Sequence, residues 1–337
     1  MSVLSTELLF YAPDVSNDLA INGGRLTSTQ FISGVVNNVW QSVLKAERTA
    51  GSTKYRKLFC KNTNDAELAL LSPQIWLDVV TAADDWITFF AGTQRNTQGD
   101  LLGTERLYGC ATLNTDITAD GTVQAIVADV EDASIVGIIA DTDTIRVTNM
   151  PTPDSTTGTE EFLTVSGAPV VSGTTLTITV LEAIANSYTV AGGTRVMSIY
   201  APADVIGTVD NWVLTSSAGT YDNASYPVIL DNIGTVEQTW TLTFADATTF
   251  TVSGDTLGAV GGSGAITADF IPSNPAFTKP DFTLEYLGFG GTWAPGDTIV
   301  FQTHPSAVPI WEKRDVPPLA ASLSGDSTTL VISGESN

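Results

Sequence analysis

Along this chain of 337 residues the alternation of apolar and polar positions has a period of two far more often than a period near four. TWTLTF is the clearest case: Trp240, Leu242 and Phe244 fall on one side, Thr239, Thr241 and Thr243 on the other. A pleated strand sends successive side chains to opposite faces, so one side of this segment is core and the other is wet. KYRKLFCKN alternates too, with Tyr55, Lys57, Phe59 and Lys61 on one face and Arg56, Leu58 and Cys60 on the other. ELALLSPQIWLDVV and DDWITFFAG read as further strands, interrupted at Pro73 and in the turn 82–85. Only TSTQFISGVVNNVWQSVLKAE, residues 27–47, puts Phe31, Val35 or Val36, Val39 or Trp40, and Val43 at helical spacing. Gly34 and the two asparagines after Val36 count against that helix.

From about Thr115 the strands become short and regularly spaced: TVQAIVADV, DTIRVT, EEFLTVS, TTLTITV, SYTV and RVMSIY, separated by turn clusters such as MPTPDSTTG and SGAPVVSG. Such spacing predicts a small sandwich or barrel rather than strand–helix–strand units. A third set follows, from NWVLTS through EQTWTLTFA and TTFTVSG to DTIVFQT and TTLVISGES. The expected fold is all-β, with two to three β-sandwich-like modules and at most one or two short helices near the N-terminus. Its divisions are an N-terminal β module over 1–112, an acidic all-β module over 113–207 and a C-terminal β-sandwich module over 208–337. DTIRVT and DTIVFQT mark equivalent strands of two related sandwiches in this reading.

Charge changes the picture more than composition does. The chain carries 14 basic and 37 acidic residues, a net charge of −23. Phosphate backbones and anionic membranes are held by Lys and Arg, so neither nucleic acid nor a membrane surface is an expected partner. The distribution is uneven: Lys45, Arg48, Lys54, Arg56, Lys57 and Lys61 crowd one segment, whereas residues 107–278 hold only Arg146 and Arg195. Separated basic and acidic regions suit either contacts between copies of the chain or contacts within it. Cys60 and Cys110 are too few for a disulfide framework and are expected to be buried thiols. The opening MSVLSTELLFYAPDV has no basic leader, so a secretory signal is not expected.

The candidate chemistry is thin. His304, the sole histidine, ends the TIVFQT strand and precedes Pro305, which holds its backbone extended; no Gly-x-Ser-x-Gly elbow accompanies it. A structural role is expected for it. One histidine and no paired cysteines leave no zinc-type ligand set. Asp129, Glu131 and Asp132, with Asp141 and Asp143, could attract calcium, yet their spacing is not that of an EF-hand, and a solvated acidic sheet edge is the simpler account. With so many acidic residues, carboxylate pairs of glycosidase type arise by chance. The glycines of INGGRL, GAVGGSGA and GFGGTW lack a phosphate-loop pattern and read as tight turns. Trp293 and Trp311 could stack on sugars if exposed, though a sandwich core is the commoner place for tryptophan.

Two runs carry a resemblance. NDLAINGGRLTSTQFISGVVNNVW…GSTKYRKLFCKNTNDAELALLSPQIWLDVV resembles the amino-terminal part of a group of tailed-bacteriophage virion structural proteins, in which a Gly-Gly segment leads to a Tyr-Arg strand, a KN turn and a Trp-containing strand. GFGGTWAPGDTIVFQTHPSAVPIWEKRDVPPLAA…TLVISGES is similar to the end of the same group. Together they cover about half the chain. The resemblance implies a non-enzymatic structural component made in the host cytoplasm and built into the virion. Tail or baseplate is its first placement and head decoration its second, and its partners would be other virion proteins and copies of itself. A host-surface adhesin binding glycan is the alternative of a different class, and a glycan hydrolase the most distant. The resemblance implies no catalytic residue, cofactor or metal.

Overall fold

The computed structural model describes residues 2 to 336. Five strands open the chain: β1 (Leu8–Val15), β2 (Gly23–Phe31), β3 (Ser52–Asn62), β4 (Leu70–Val79) and β5 (Trp86–Ala91). Seven short ones follow: β6 (Cys110–Leu113), β7 (Ala125–Asp129), β8 (Thr144–Thr148), β9 (Glu160–Thr164), β10 (Val170–Ser172), β11 (Thr175–Thr179) and β12 (Arg195–Ser198). The third set is β13 (Thr208–Thr215), β14 (Gly219–Tyr221), β15 (Gln238–Phe244), β16 (Thr249–Gly254), β17 (Gly258–Ala265), β18 (Ser273–Asn274), β19 (Lys279–Pro280), β20 (Phe289–Gly291) and β21 (Thr298–His304). Two more, β22 (Ala307–Val316) and β23 (Thr329–Ser336), end the described chain. The protein is all-β, as the alternation predicts, and one α-helix, α1 (Lys45–Ala50), occurs among the described residues.

The expected helix over 27–47 does not form. Residues up to Phe31 belong to β2, paired antiparallel with β1, and the helical turn begins only at Lys45, where Glu47 accepts from the Leu44 N–H at 2.8 Å. β-branched and polar residues up to Gln30 suit the sheet, while Gly34 and the asparagines leave the stretch between irregular. Pro73 does not interrupt its strand. β4 runs through it, with Ser72 at φ 45 and a register shift opposite on β23, so the missing N–H falls in a bulge.

Strand pairing redraws the expected module boundaries. β22 lies between β3 and β5 in a five-stranded antiparallel sheet of order β2-β1-β3-β22-β5, and β23 pairs with β4. The two ends of the chain therefore build one sandwich, and in strand pairing the expected 208–337 module ends at His304. Its core holds Leu58, Cys60, Phe89 and Ile310 from the larger sheet against Ile75, Trp76 and Leu77 of β4. A strand from one end of the chain fits because the slot between β3 and β5 offers ladders on both edges, and ten residues of β22 fill it.

Two units are inserted between the ends. In the first the sheet order is β10-β11-β7-β6-β12-β8-β9, and a Val165–Val180 bridge ties the end of β9 back to that of β11, so the sheet curls round Ile126, Ile145, Val147, Leu176 and Ile178. The second is a sheet of order β13-β21-β15-β16-β17 over an aromatic core of Trp240, Phe244, Phe250, Phe282 and Phe301. TWTLTF alternates there as expected: Trp240, Leu242 and Phe244 are buried, and Thr243 is exposed. DTIRVT and DTIVFQT become β8 and β21, each an internal strand of its own sheet.

Candidate functional site

Where the candidate side chains go is decided by the joints between the sandwich and its two insertions. Arg146 and Arg195, the only basic residues of the acidic stretch, both turn to one carboxylate outside it. Alternation along β8 puts Ile145 and Val147 in the curled sheet's core and sends Arg146 to the opposite face, where Asp78 of β4 waits fully buried. Arg195 of β12 reaches the other Asp78 oxygen at 3.3 Å, and Trp76 Nε1 donates to Asp78 at 3.3 Å. Arg146 also pairs with Glu160 at 2.6 Å and lies over the Trp76 ring, 5.1 Å from its centroid. A lone arginine flanked by inward-facing aliphatics was the available signal for this ion pair. Its partner, a single aspartate in an apolar strand, was not recognised.

His304 sits at the second joint. Its Nδ1 is 2.6 Å from Glu237 and its Nε2 is 3.3 Å from Asp210. Glu237, itself buried, also accepts from Arg95 Nε at 2.6 Å and Gln302 Nε2 at 2.8 Å. Arg95 comes from the loop after β5, so the cluster bridges the sandwich to the second insertion, and Asp255 extends it by accepting from Arg95 at 3.0 Å and Arg25 at 2.6 Å. The Glu237 hydrogen bond and charge raise the His304 pKa. The Glu237 carboxyl is held below its ordinary value: burial opposes this, but the His304 and Arg95 hydrogen bonds outweigh it. Every nitrogen of the imidazole thus faces a carboxylate, and the cluster's hydroxyls, Thr239 and Thr256, accept from Arg95 and Arg25 rather than bonding His304. The arrangement holds two units together.

The cations of β3 are used inside the chain. Lys54 reaches Asp18 at 2.8 Å and also pairs with Glu47; Arg56 reaches Asp18 at 2.8 Å. Lys57 is buried, donates to the Gly24 and Asn96 carbonyls at 2.6 and 2.9 Å, and burial pushes its ammonium down to about 7. Lys61, likewise pushed to about 7 by burial, lies 5.3 Å from the centroid of the Phe277 ring and has no hydrogen-bond partner among the described residues. β3 is covered on both faces, which explains why polar positions of an alternating strand are inside. Of the two sequence readings for this segment, contact within the chain is the one the ion pairs display.

The acidic positions are taken up by hydrogen bonds and an ion pair within the chain. Asp129 accepts from Thr175, Asp132 caps the Ser134 N–H, Asp141 accepts from the Gly167 N–H and Asp143 pairs with Arg106. Glu131 accepts from Thr81 at 2.9 Å. Among the described residues no three carboxylate, histidine or cysteine side chains converge as a metal site. Cys60 and Cys110 are free, buried, and raised in pKa by that burial. Gly23 and Gly24 of INGGRL have φ of +107 and +89; a Cβ on Gly23 would lie 2.7 Å from the Trp311 ring. Trp311 and Trp293 are both buried, the latter stacked on Phe244 with centroids 3.9 Å apart, so neither presents a face to a sugar.

One cavity stands apart from these clusters. About 750 Å³ in volume, it is bounded by residues 31–43 on one side and 320–330 on the other. Leu58, Ile87, Glu312 and Arg314 of the large sheet also line it. Nothing in the sequence pattern marked it, because its walls are two irregular loops nearly 300 positions apart. No helix of the described residues is long and apolar enough to cross a membrane. No known protein family, curated protein or solved structure matches this chain.

Proposed function

We propose that this chain is a non-enzymatic structural component of a tailed-phage particle, with tail or baseplate as its first placement and head decoration as its second. The observation that carries the reading is where the two resembling runs meet. β2, β3 and β4 come from the amino-terminal run and β22 and β23 from the carboxy-terminal run, and they interleave in one sandwich. A scaffold shared across a group would be expected in such a contiguous unit; the carboxy-terminal run also takes in β20 and β21 of the second insertion, which leaves the first insertion as the part free to differ.

The chemistry supports the same reading. His304, Lys57, Arg146 and Arg195 are committed to joints and interior contacts, and a protein so wired is suited to bearing load and presenting surfaces. Repetition on a symmetric particle strengthens contacts that are weak singly. The glycan-binding alternative loses its two named tryptophans to the core. Labelling or imaging of intact particles tests the proposal. Detection of the chain at a fixed position is the expected result, and purified particles that lack it overturn it.

A further inference from the structure

The cavity between the two loops holds groups that the chain itself leaves incomplete. Glu312, on β22, is 4 % exposed and lines the space. Its Oε2 accepts from Trp40 Nε1 at 2.7 Å, and among the described residues no hydrogen bond reaches Oε1. Burial raises the Glu312 carboxyl to about 7, against the pull of the Trp40 hydrogen bond. A second acidic group lies on the same wall: the Asp85 pKa is raised by burial and by the neighbouring carboxylate of Asp326, which also lines the cavity. Of the two cations on the lining, Arg314 lies over the Trp40 ring at 4.7 Å and donates to the Gln41 carbonyl at 2.9 Å, while its buried Nε has no hydrogen-bond partner among the described residues. Arg48 is the other. Around them the loops expose Ile32, Val35, Val36 and Leu323, an aliphatic rim.

We propose that this cavity receives a short segment of a different protein, an arginine or lysine flanked by aliphatic side chains, whose cation completes Glu312, with the Asp85–Asp326 pair adding to the negative field of the same wall. A volume of 750 Å³ lies within the range of formed ligand pockets. A second copy of this chain is a poor donor. All its basic residues except Lys45 and Arg48 are buried, in ion pairs or hydrogen-bonded within the fold. The remaining surface is that of a chain of net charge −23, which repels its own kind and attracts a cationic partner. The inference stands on the cavity and holds or fails independently of the particle reading.

The test uses the whole chain and a fluorescein-labelled nonapeptide in which valine and threonine alternate around a central arginine. A second peptide carries citrulline, uncharged and nearly isosteric, in place of the arginine. Fluorescence anisotropy is expected to show saturable binding of the arginine peptide, about tenfold or more tighter than the citrulline peptide. Glu312→Gln keeps an oxygen for the Trp40 indole and is expected to remove at least about fivefold of that preference, as is Asp326→Asn. Asp326 is only partly buried, so its variant decides the matter should Glu312→Gln fail to fold. Equal binding of the two peptides, no saturation by about 1 mM, or a preference unchanged in the folded variants overturns the proposal. So does a dimer in sedimentation that the peptide displaces, because the cavity would then belong to a second copy.

Discussion

Asp78→Ala is the most direct probe of how the curled sheet is held to the sandwich. Asp78 is fully buried, Arg146 is 1 % exposed, and Arg195 shares the same carboxylate. Solvent screening gives little discount at such a site. Removing the anion leaves one guanidinium buried with only the half-exposed Glu160 as partner, a situation that costs about 3 to 5 kcal/mol. Trp76 loses its indole acceptor as well, adding about 1 kcal/mol. With a urea slope of about 3 kcal/mol per M, the transition should move down by about 1 to 2 M. Intrinsic fluorescence, to which all seven tryptophans contribute, and circular dichroism both follow the transition. A second variant separates charge from packing: Asp78→Leu with Arg146→Met removes the two fully buried ions, leaves the partly exposed Arg195 on the Met150 carbonyl, and should recover at least about 2 kcal/mol of the loss. A loss below about 1 kcal/mol in Asp78→Ala, or no recovery in the double variant, would refute the reasoning.

Three further outcomes are expected. Glu237→Gln should destabilise by about 2 kcal/mol in urea unfolding, since a partly exposed Arg95, His304 and Gln302 all lose a charged acceptor. The His304 pKa is raised on folding, so its share of stability is whole below its unfolded value near 6.5 and fades as pH rises through the folded one; the depressed Glu237 pKa makes its share fade as pH falls below about 4.5. Unfolding of the parent chain should therefore show the pair at full strength between those limits, and Glu237→Gln should flatten the dependence; an unchanged pH profile counts against the assignment. Gly23→Ala sets a Cβ against the Trp311 ring at a φ of +107 and should cost about 2 kcal/mol or more, read as a lower melting temperature. Cys60 and Cys110 should resist a maleimide until urea unfolds the chain, and rapid labelling of the native protein would contradict their burial.

Period-two alternation by itself determined that the chain is all-β, that TWTLTF and KYRKLFCKN are strands, and which side of TWTLTF is dry. These are properties of neighbours along the chain, and the pleat turns them directly into faces. The two buried thiols and the strand-end position of His304 were legible for the same local reason, whereas the glycine runs expected as tight turns lie in strands: Gly23 and Gly24 open β2, Gly258–Ala265 is β17 and Phe289–Gly291 is β20. What the sequence could not determine is which strands meet. β22 joins β3 and β5 from more than 200 residues away, because hydrogen-bonding edges are satisfied by geometry in space and carry no mark in the sequence of which edge they will find. The helix expected over 27–47 failed because one helical-looking stripe could not outweigh a ladder offered by β1. The β3 cations suited contacts between copies or within one until the fold covered the strand on both faces. Glu237, Asp78 and Glu312 looked like three of 37 acidic residues until the fold brought Arg95, Arg146 and Trp40 to them. A charge takes its meaning from its burial and its partner, and both are decided only when distant segments pack.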